Sequence, residues 1–217
     1  MGSAFLVMAV VGSGIMGEQL ADKNMAIALI ANTITTTWAL YVLITLIGPI
    51  SGAHFNPAVT IFSKLRGELP TWGLTLGYMG SQLLGALLGI LLTHLMFDLP
   101  VYQTSEKVRN TWSLISSECV ATSGLLLTIY FGNKFAKPQV PILVASYIGS
   151  AYWFTSSTSF ANPMMAFARS LTNTFSGIRP VDAPAFAFIE FLTAVILAIL
   201  INTFSSEFFR KKNSQGA

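Results

Sequence analysis

The sequence predicts an all-α membrane protein with six transmembrane helices and two re-entrant half-helices arranged as an inverted repeat. Of the 217 residues, 53% are hydrophobic and 10% are charged, with a mean hydropathy of +0.64, whereas about 25% of a soluble domain is charged. Apolar stretches recur from end to end, and several reach the roughly 20 residues that a helix needs to cross the hydrocarbon layer. Two further segments, too short to span, each open with Asn-Pro.

The apolar stretches predict spans at about residues 3–20, 25–47, 72–97, 112–132, 139–157 and 183–206. Only short polar connections separate them, so we expect a single domain over residues 1–217, with a first repeat of about 1–97 and a second of about 112–206. The first stretch lacks a positively charged leader, so no cleavable signal peptide is expected. Because this apolar stretch begins within a few residues of Met1, a shortened N-terminus remains an open alternative.

Basic residues divide unevenly between the two faces that these spans create. With a cytoplasmic N-terminus, the larger group lies inside: Lys64, Arg66, Lys134, Lys137, Arg210, Lys211 and Lys212. The smaller group lies outside: Lys23, Lys107, Arg109 and Arg179. The positive-inside rule therefore predicts cytoplasmic N- and C-termini. The net charge of +3 is scattered, so the lipid bilayer is the expected partner and nucleic acid is not.

Residues 56–66 and 162–172 are predicted to be half-helices. They lie in the strings SGAHFNPAVT (51–60) and STSFANPMMA (157–166). Proline suits the first helical position, where its missing N–H has no intrahelical partner, and the asparagine before it can cap the helix. Each half has two spans before its Asn-Pro and one after it. Because three is an odd number, the second half must enter the membrane from the opposite side.

Half-helices that enter from opposite faces can meet at the bilayer midplane. Irregular backbone is tolerated there only if it is buried in protein or lines a watery cavity, so we expect a pore. Each helix start carries roughly half a positive charge, which opposes cations, while Asn56 and Asn162 can donate N–H groups to a passing oxygen. These features predict a passive channel for water and small uncharged solutes.

The doubled Asn-Pro motif, its lead-in and the spacing of the spans resemble the aquaporin and glycerol-facilitator (major intrinsic protein) family over nearly the whole chain. The resemblance implies a homotetramer in which each subunit has its own pore and a narrow filter toward the outer side. The pore motifs that it implies are Asn56, Pro57, Ala58 and Asn162, Pro163, Met164. The character of the sequence points to a bacterial inner membrane.

The second motif departs from the family pattern. Met164 replaces the usual alanine, and Met165 stands where an arginine is expected. The nearest arginine, Arg169, lies one turn farther out on almost the same helix face. We expect it to point toward the outer vestibule; the alternative is that it snorkels to the lipid interface.

The family's spacing, counted without gaps, implies further filter positions at Thr36, Ser150 and Ser159. Such small residues imply a wide opening, like that of bacterial members that admit neutral metalloid acids such as arsenite alongside water and glycerol. Ser170, where glycerol-transporting members usually place an aspartate, weakens the glycerol interpretation. A slip in register would instead let bulky neighbours narrow the filter: Trp38, Tyr152 and Trp153.

Ionisable residues inside spans are functional hypotheses by default. The resemblance implies that Glu118 holds the backbone of the second pore loop; direct contact with solute is the alternative. His54 either lines the inner pore, where its protonation would gate flow, or bonds to the loop backbone. His94 is expected at the membrane interface. With the histidines far apart and Cys119 alone, we expect no metal site and no cofactor.

A secondary transporter of inverted-repeat design is the main alternative function. Coupled transport needs a group that binds the driving ion, and Glu118 and Glu190 are the acidic residues well inside the spans. Nothing in their surroundings indicates a proton relay, so the channel is favoured. An enzyme is not expected, since the sequence shows no Ser/His pair, paired aspartates or metal cluster.

Overall fold

The computed structural model describes the backbone of residues 1–214 and the side chains of residues 1–204. This part of the chain folds into helices and contains no strand, which confirms the predicted fold class. The helices are α1 (Gly2–Leu20), α2 (Met25–Ser51), α3 (Pro57–Leu65), α4 (Trp72–Met96), α5 (Trp112–Phe135), α6 (Val140–Phe154), α7 (Pro163–Ser170) and α8 (Ala183–Ser214).

Among the described residues, five helices are long and apolar enough to cross a membrane: α1, α2, α4, α5 and the Ala183–Phe204 part of α8. Helix α6 has 15 residues, or about 23 Å at 1.5 Å per residue, less than the roughly 30 Å of a hydrocarbon core. A 3-10 turn at Lys137–Gln139 directly precedes it. The predicted span of 139–157 was too long, because the chain leaves the helix after Phe154 and turns toward the second half-helix.

The long helices expose apolar side chains in helical stripes. On α2, Ile27, Ile30, Ile34 and Trp38 each have about half of their surface exposed. Residues three or four apart share one helix face, so these side chains form one continuous apolar surface. Such a surface suits contact with lipid or with another apolar helix, because hydrocarbon solvates it and the helix satisfies its own backbone groups.

The helices of the two halves pack in matching pairs. Helix α1 packs on α2 and α4, and α5 packs on α6 and α8. Each half-helix packs on the last long helix of both halves, so α3 and α7 both contact α4 and α8. Exchanging the halves leaves this set of contacts unchanged, and two pairs join equivalent helices: α2 with α6, and α3 with α7.

Small residues allow α1 and α4 to cross closely. Gly85 faces Ser3, and a β-carbon on Gly89 would overlap the backbone oxygen of Ala4. Glycine at both positions lets the two backbones approach, as small residues do at helix interfaces in membranes.

The C-terminal end of α3 is tied to α8. Asn202 donates from Nδ2 to the backbone oxygen of Leu65 at 3.0 Å, and its Oδ1 accepts from Arg66 Nη1 at 2.5 Å. The last carbonyls of a helix have no intrahelical partner, so this side chain satisfies one of them and fixes the far end of the half-helix.

At the opposite end of the bundle, residues 98–111 lie across residues 170–182. The backbone N–H of Ser105 donates to Ser170, and that of Arg179 donates to Lys107. His94 joins the two segments: Nδ1 is 3.0 Å from the Val101 oxygen, and Nε2 is 3.0 Å from Thr172 Oγ1. His94 lies in the last turn of α4, and its side chain is fully buried between these loops.

Candidate functional site

Both half-helices begin with a capped Asn-Pro. The Oδ1 atom of Asn56 accepts from the backbone N–H of Ala58 at 2.9 Å, and that of Asn162 accepts from Met164 at 3.1 Å. Each asparagine has an extended backbone, and the proline after it occupies the first helical position. The caps satisfy N–H groups that would otherwise lack partners, and they fix the direction of each side-chain amide.

The two helix starts are held tip to tip. Asn56 donates from Nδ2 to the backbone oxygen of Ala161 at 2.7 Å, and Asn162 donates from Nδ2 to that of Phe55 at 2.9 Å. Each amide thus commits one N–H to the opposite loop and keeps the second. Asn56 and Asn162 are only 5% and 6% exposed, yet both line the two cavities that meet at them.

The cavities differ in size. The wide cavity, about 670 Å³, opens toward the end of the bundle where α3 ends and α6 begins, and its polar lining residues include His54, Ser63, Glu68, Asn133 and Lys137. The narrow cavity, about 50 Å³, lies on the other side of the asparagines. A space of that volume holds only a few waters, so it is the tighter of the two spaces, and we refer to it as the constriction.

Four of the five predicted filter residues line the narrow cavity: Thr36, Ser159, Met165 and Arg169. Arg169 is 4% exposed and faces this cavity, so it does not snorkel to the lipid. Ser159 Oγ is buried and has no hydrogen-bond partner among the described residues. The constriction therefore combines a guanidinium group and hydroxyl groups with the apolar side chain of Met165.

The fifth predicted filter residue, Ser150, is corrected by the structure. Its side chain is exposed on the outside of α6, where Oγ donates to the backbone oxygen of Ser146 at 2.9 Å. Tyr152 lines the narrow cavity instead, and its hydroxyl donates to Thr36 Oγ1 at 3.4 Å. Ser150 and Tyr152 are two residues apart, which corresponds to a rotation of about 200° around the helix axis. An error of two residues in the predicted register therefore exchanges the pore face of α6 for its outer face.

The other two bulky neighbours do not narrow the pore. Trp38 is 57% exposed and Trp153 is 50% exposed, and neither lines the narrow cavity. Both lie on the outer surface of the bundle, where tryptophan commonly anchors a helix in the membrane.

Two carboxylates hold the second pore loop. Glu118 accepts from the backbone N–H of Phe160 at 2.9 Å and from that of Ala161 at 2.6 Å, and Glu190 accepts from Asn162 at 2.9 Å. Both side chains are fully buried. Three consecutive amides are thus bound by acceptors from α5 and α8. The sequence prediction missed the role of Glu190, although an acidic residue within an apolar span was the signal.

The residue before each asparagine has a left-handed backbone. Phe55 has φ 46° and Ala161 has φ 45°, in a region that residues with a β-carbon rarely adopt. These are the two residues whose carbonyls accept the crossed hydrogen bonds. Such conformations persist where surrounding contacts impose them, and here the crossed bonds and the Glu118 carboxylate supply those contacts.

His54 lines the wide cavity, half-buried. Its Nδ1 atom lies 3.2 Å from Thr60 Oγ1 on α3, and its ring packs on Tyr78 with centroids 5.2 Å apart. The ring is thus held by side chains of α3 and α4 rather than by the backbone of its own loop, and it faces the path beside Asn56.

Crossed half-helix tips between two cavities define an inverted-repeat membrane channel. Over residues 1–196 the chain matches the family described as Major intrinsic protein, and it belongs to that family. It is 52% identical over 201 residues to Aquaglyceroporin AqpS of Rhizobium meliloti (strain 1021), covering 93% of this chain and 85% of that protein. It is 32% identical over 161 residues to the probable glycerol uptake facilitator protein of Thermotoga maritima, covering 67% and 68%.

These comparisons confirm the family that the doubled motif indicated. The chain is a multi-pass membrane protein that acts as a channel for water and small solutes. The alternative of a secondary transporter is not favoured.

Proposed function

We propose that each chain forms one passive pore for water and small uncharged solutes, including glycerol and neutral metalloid acids. The observation that carries this proposal is the pair Asn56 and Asn162, which line both cavities and bind each other's loops. Similarity to an aquaglyceroporin and to glycerol uptake facilitators supports the inclusion of solutes larger than water.

The chemistry of the tips favours neutral solutes. Two helix N-termini converge on the centre of the path, each with roughly half a positive charge, and a cation that has shed its water there finds no carboxylate among the lining residues of the narrow cavity. The uncommitted N–H of each asparagine can donate to the oxygen of a water or alcohol. Arg169 adds a formal positive charge in the constriction, which further opposes cations.

The composition of the narrow cavity bears on which solutes pass. Met165 places a flexible apolar side chain where the family pattern has an arginine. Arg169, Ser159 and Thr36 offer hydrogen-bonding groups. A small polyol or a metalloid acid presents several hydroxyl groups and fits such a mixed lining. Tyr152 reduces the opening that the small residues alone would leave, so we propose that it limits the size of the permeant solute.

We propose a bacterial inner membrane as the location, with both termini and the wide cavity facing the cytoplasm. Support comes from basic residues at the end of the bundle where the wide cavity opens, among them Lys64, Arg66, Lys134 and Lys137, in accord with the positive-inside rule. A homotetramer is proposed on the family resemblance, and the apolar stripe of α2 offers a surface for a neighbouring subunit.

The test is stopped-flow light scattering with purified protein in proteoliposomes, using gradients of an impermeant osmolyte, glycerol and arsenous acid. We expect water and solute fluxes that do not saturate and that fall toward the empty-vesicle level when Asn56 and Asn162 are both replaced by alanine. Asn24→Ala is the matched control, because Asn24 also caps a helix but lies exposed and far from the cavities. Water flux without solute uptake contradicts the solute range, and ion-dependent accumulation contradicts the channel.

A further inference from the structure

We propose that Arg109 is a positioning residue of the narrow cavity, which keeps Arg169 directed into the pore through a ring that both arginines contact. The inference rests on the proposed function and extends it to a residue of the 98–111 segment, outside the two pore loops. Arg109 does not line the narrow cavity, so it acts through its neighbours.

Arg109 is anchored at three points near the second pore loop. Its Nε donates to the backbone oxygen of Gly177 at 3.0 Å, and Nη1 donates to that of Ser157 at 3.1 Å. Its own backbone N–H donates to Asp182 Oδ2 at 2.8 Å. Hydrogen bonds from Arg179 lower the pKa of Asp182, so this acceptor stays ionised. Arg109 therefore ties the second pore loop to the loop before α8.

Phe160 is the ring that the two arginines share. The guanidinium carbon of Arg109 lies 5.1 Å from the ring centroid, and that of Arg169 lies 3.4 Å from it. Phe186 packs edge-on against the same ring with centroids 5.0 Å apart, and Glu118 holds the backbone N–H of Phe160. The ring is thus fixed from several sides and transmits the position of one arginine to the other.

Arg169 has limited freedom in this arrangement. Its Nε donates to the backbone oxygen of Ser176, and its side chain lines the narrow cavity. Like charges repel, and more strongly where water is scarce, so a second guanidinium group near Phe160 opposes movement of Arg169 away from the pore. Arg109 also occupies the oxygens of Ser157 and Gly177, which would otherwise attract Arg169.

Removing Arg109 should therefore withdraw Arg169 from the constriction. The freed carbonyls and the absence of the repelling charge favour a shift of the Arg169 guanidinium group toward the site that Arg109 has left. The narrow cavity then widens and loses part of its positive charge. The consequence is selective, because a wider constriction favours solutes larger than water more than water itself.

The test compares permeabilities to water, urea, glycerol and erythritol in proteoliposomes, normalised to the amount of inserted protein. For Arg109→Gln we expect the glycerol-to-water ratio to rise roughly fivefold, which corresponds to about 1 kcal/mol. Arg169→Gln should change the ratio in the same direction, and the double variant should add nothing further. Arg66→Gln is the matched control, because Arg66 also lies over an aromatic ring, that of Tyr130, but at the other end of the bundle.

Several results would overturn the inference. A purely structural role predicts that Arg109→Gln lowers all permeabilities in proportion and leaves their ratio unchanged. Additive changes in the double variant would show that the two arginines act independently. Should Arg109→Gln fail to insert, Arg109→Met serves instead: it removes both the charge and the hydrogen bonds to Ser157 and Gly177, and an unchanged ratio there contradicts the inference. Failure of the proposed function is distinct, because the unsubstituted channel would then pass no solute.

Discussion

Asn56 donates a hydrogen bond across the centre of the bundle to the backbone oxygen of Ala161, the residue before Asn162. The crossed bond from Asn162 to Phe55 makes the connection mutual. The two pore loops are therefore one unit, and a change at either tip affects both. The central part of the path owes its geometry to this pair rather than to either half-helix alone.

A first prediction concerns Asn56→Asp. The carboxylate keeps an acceptor for the helix cap but places an oxygen against the Ala161 carbonyl, so a buried acceptor loses its donor at a cost of about 1–3 kcal/mol. Its negative charge also offsets the positive helix ends. We expect a lower unfolding temperature, less water flux and a new proton leak, followed with a pH-sensitive dye inside proteoliposomes. Asn24→Asp is the control, and an intact proton barrier in Asn56→Asp would contradict the prediction.

A second prediction separates Tyr152 from Ser150. Tyr152→Ala removes a ring from the narrow cavity together with the hydroxyl that binds Thr36, so the glycerol-to-water permeability ratio should increase. Ser150→Ala changes an exposed position on the opposite side of α6 and should leave the ratio unchanged. Stopped-flow measurements with both solutes check the pair. An effect of Ser150→Ala equal to that of Tyr152→Ala would restore Ser150 as a filter residue.

A third prediction concerns the two carboxylates. Both carboxylate oxygens of Glu118 accept a backbone N–H. Glu118→Gln replaces one of these oxygens with an NH₂ group that faces a backbone N–H, so it should destabilise the fold by about 1–3 kcal/mol. Glu190→Gln keeps an acceptor for Asn162, and its new amide replaces Oε2, which has no partner among the described residues. Glu190→Gln should therefore leave the stability of the fold nearly unchanged, whereas Glu190→Ala should lower it. Thermal unfolding in detergent measures all three, and equal losses for the two glutamine variants would refute this account.

A fourth prediction uses Lys107, whose Nζ donates to the Phe175 oxygen at 2.7 Å. Burial, with smaller contributions from Arg109 and Arg169, lowers the pKa of Lys107 to about 8. The ammonium charge is therefore lost as the pH rises through about 8. Because the neutral amine is the nucleophile, brief acylation followed by mass spectrometry should show half-maximal labelling of Lys107 near that pH.

Arg109→Gln tests the direction in which a neighbouring charge shifts the pKa of Lys107. Loss of a nearby positive charge favours the ammonium form, so the labelling midpoint of Lys107 should move upward, whereas Arg66→Gln should leave it in place. A midpoint near the ordinary lysine value of about 10.4 in the unsubstituted channel would show that Lys107 is not desolvated as the structure indicates.

The fold could be predicted from the sequence because its signals are local. Span length, the odd number of spans per half and the Asn-Pro starts each depend on a few neighbouring residues. The half-helices predicted at 56–66 and 162–172 begin at Pro57 and Pro163, since a proline after a capping asparagine leaves little choice of helix start.

The site could be predicted only in part, because the rotation of a helix about its own axis depends on the helices that pack against it and not on neighbouring residues in the sequence. Spacing counted without gaps gives Ser150 and a slip in register gives Tyr152, and the packing of α6 on α2 decides which of them faces the pore. The binding of Glu190 to Asn162 and that of Arg109 to Ser157 join residues 28 and 48 positions apart. Such contacts follow from the assembled bundle, and no short motif encodes them.

The unequal sizes of the two cavities imply that a blocker should act from one side of the membrane only. A compound too bulky for the 50 Å³ space can enter the 670 Å³ one. It can then bind against Asn56 and Asn162 and block the path. From the opposite side it is too large to enter the 50 Å³ space. Net flow of a permeant molecule at equal concentrations still sums to zero, so this directionality would appear in inhibition and not in transport.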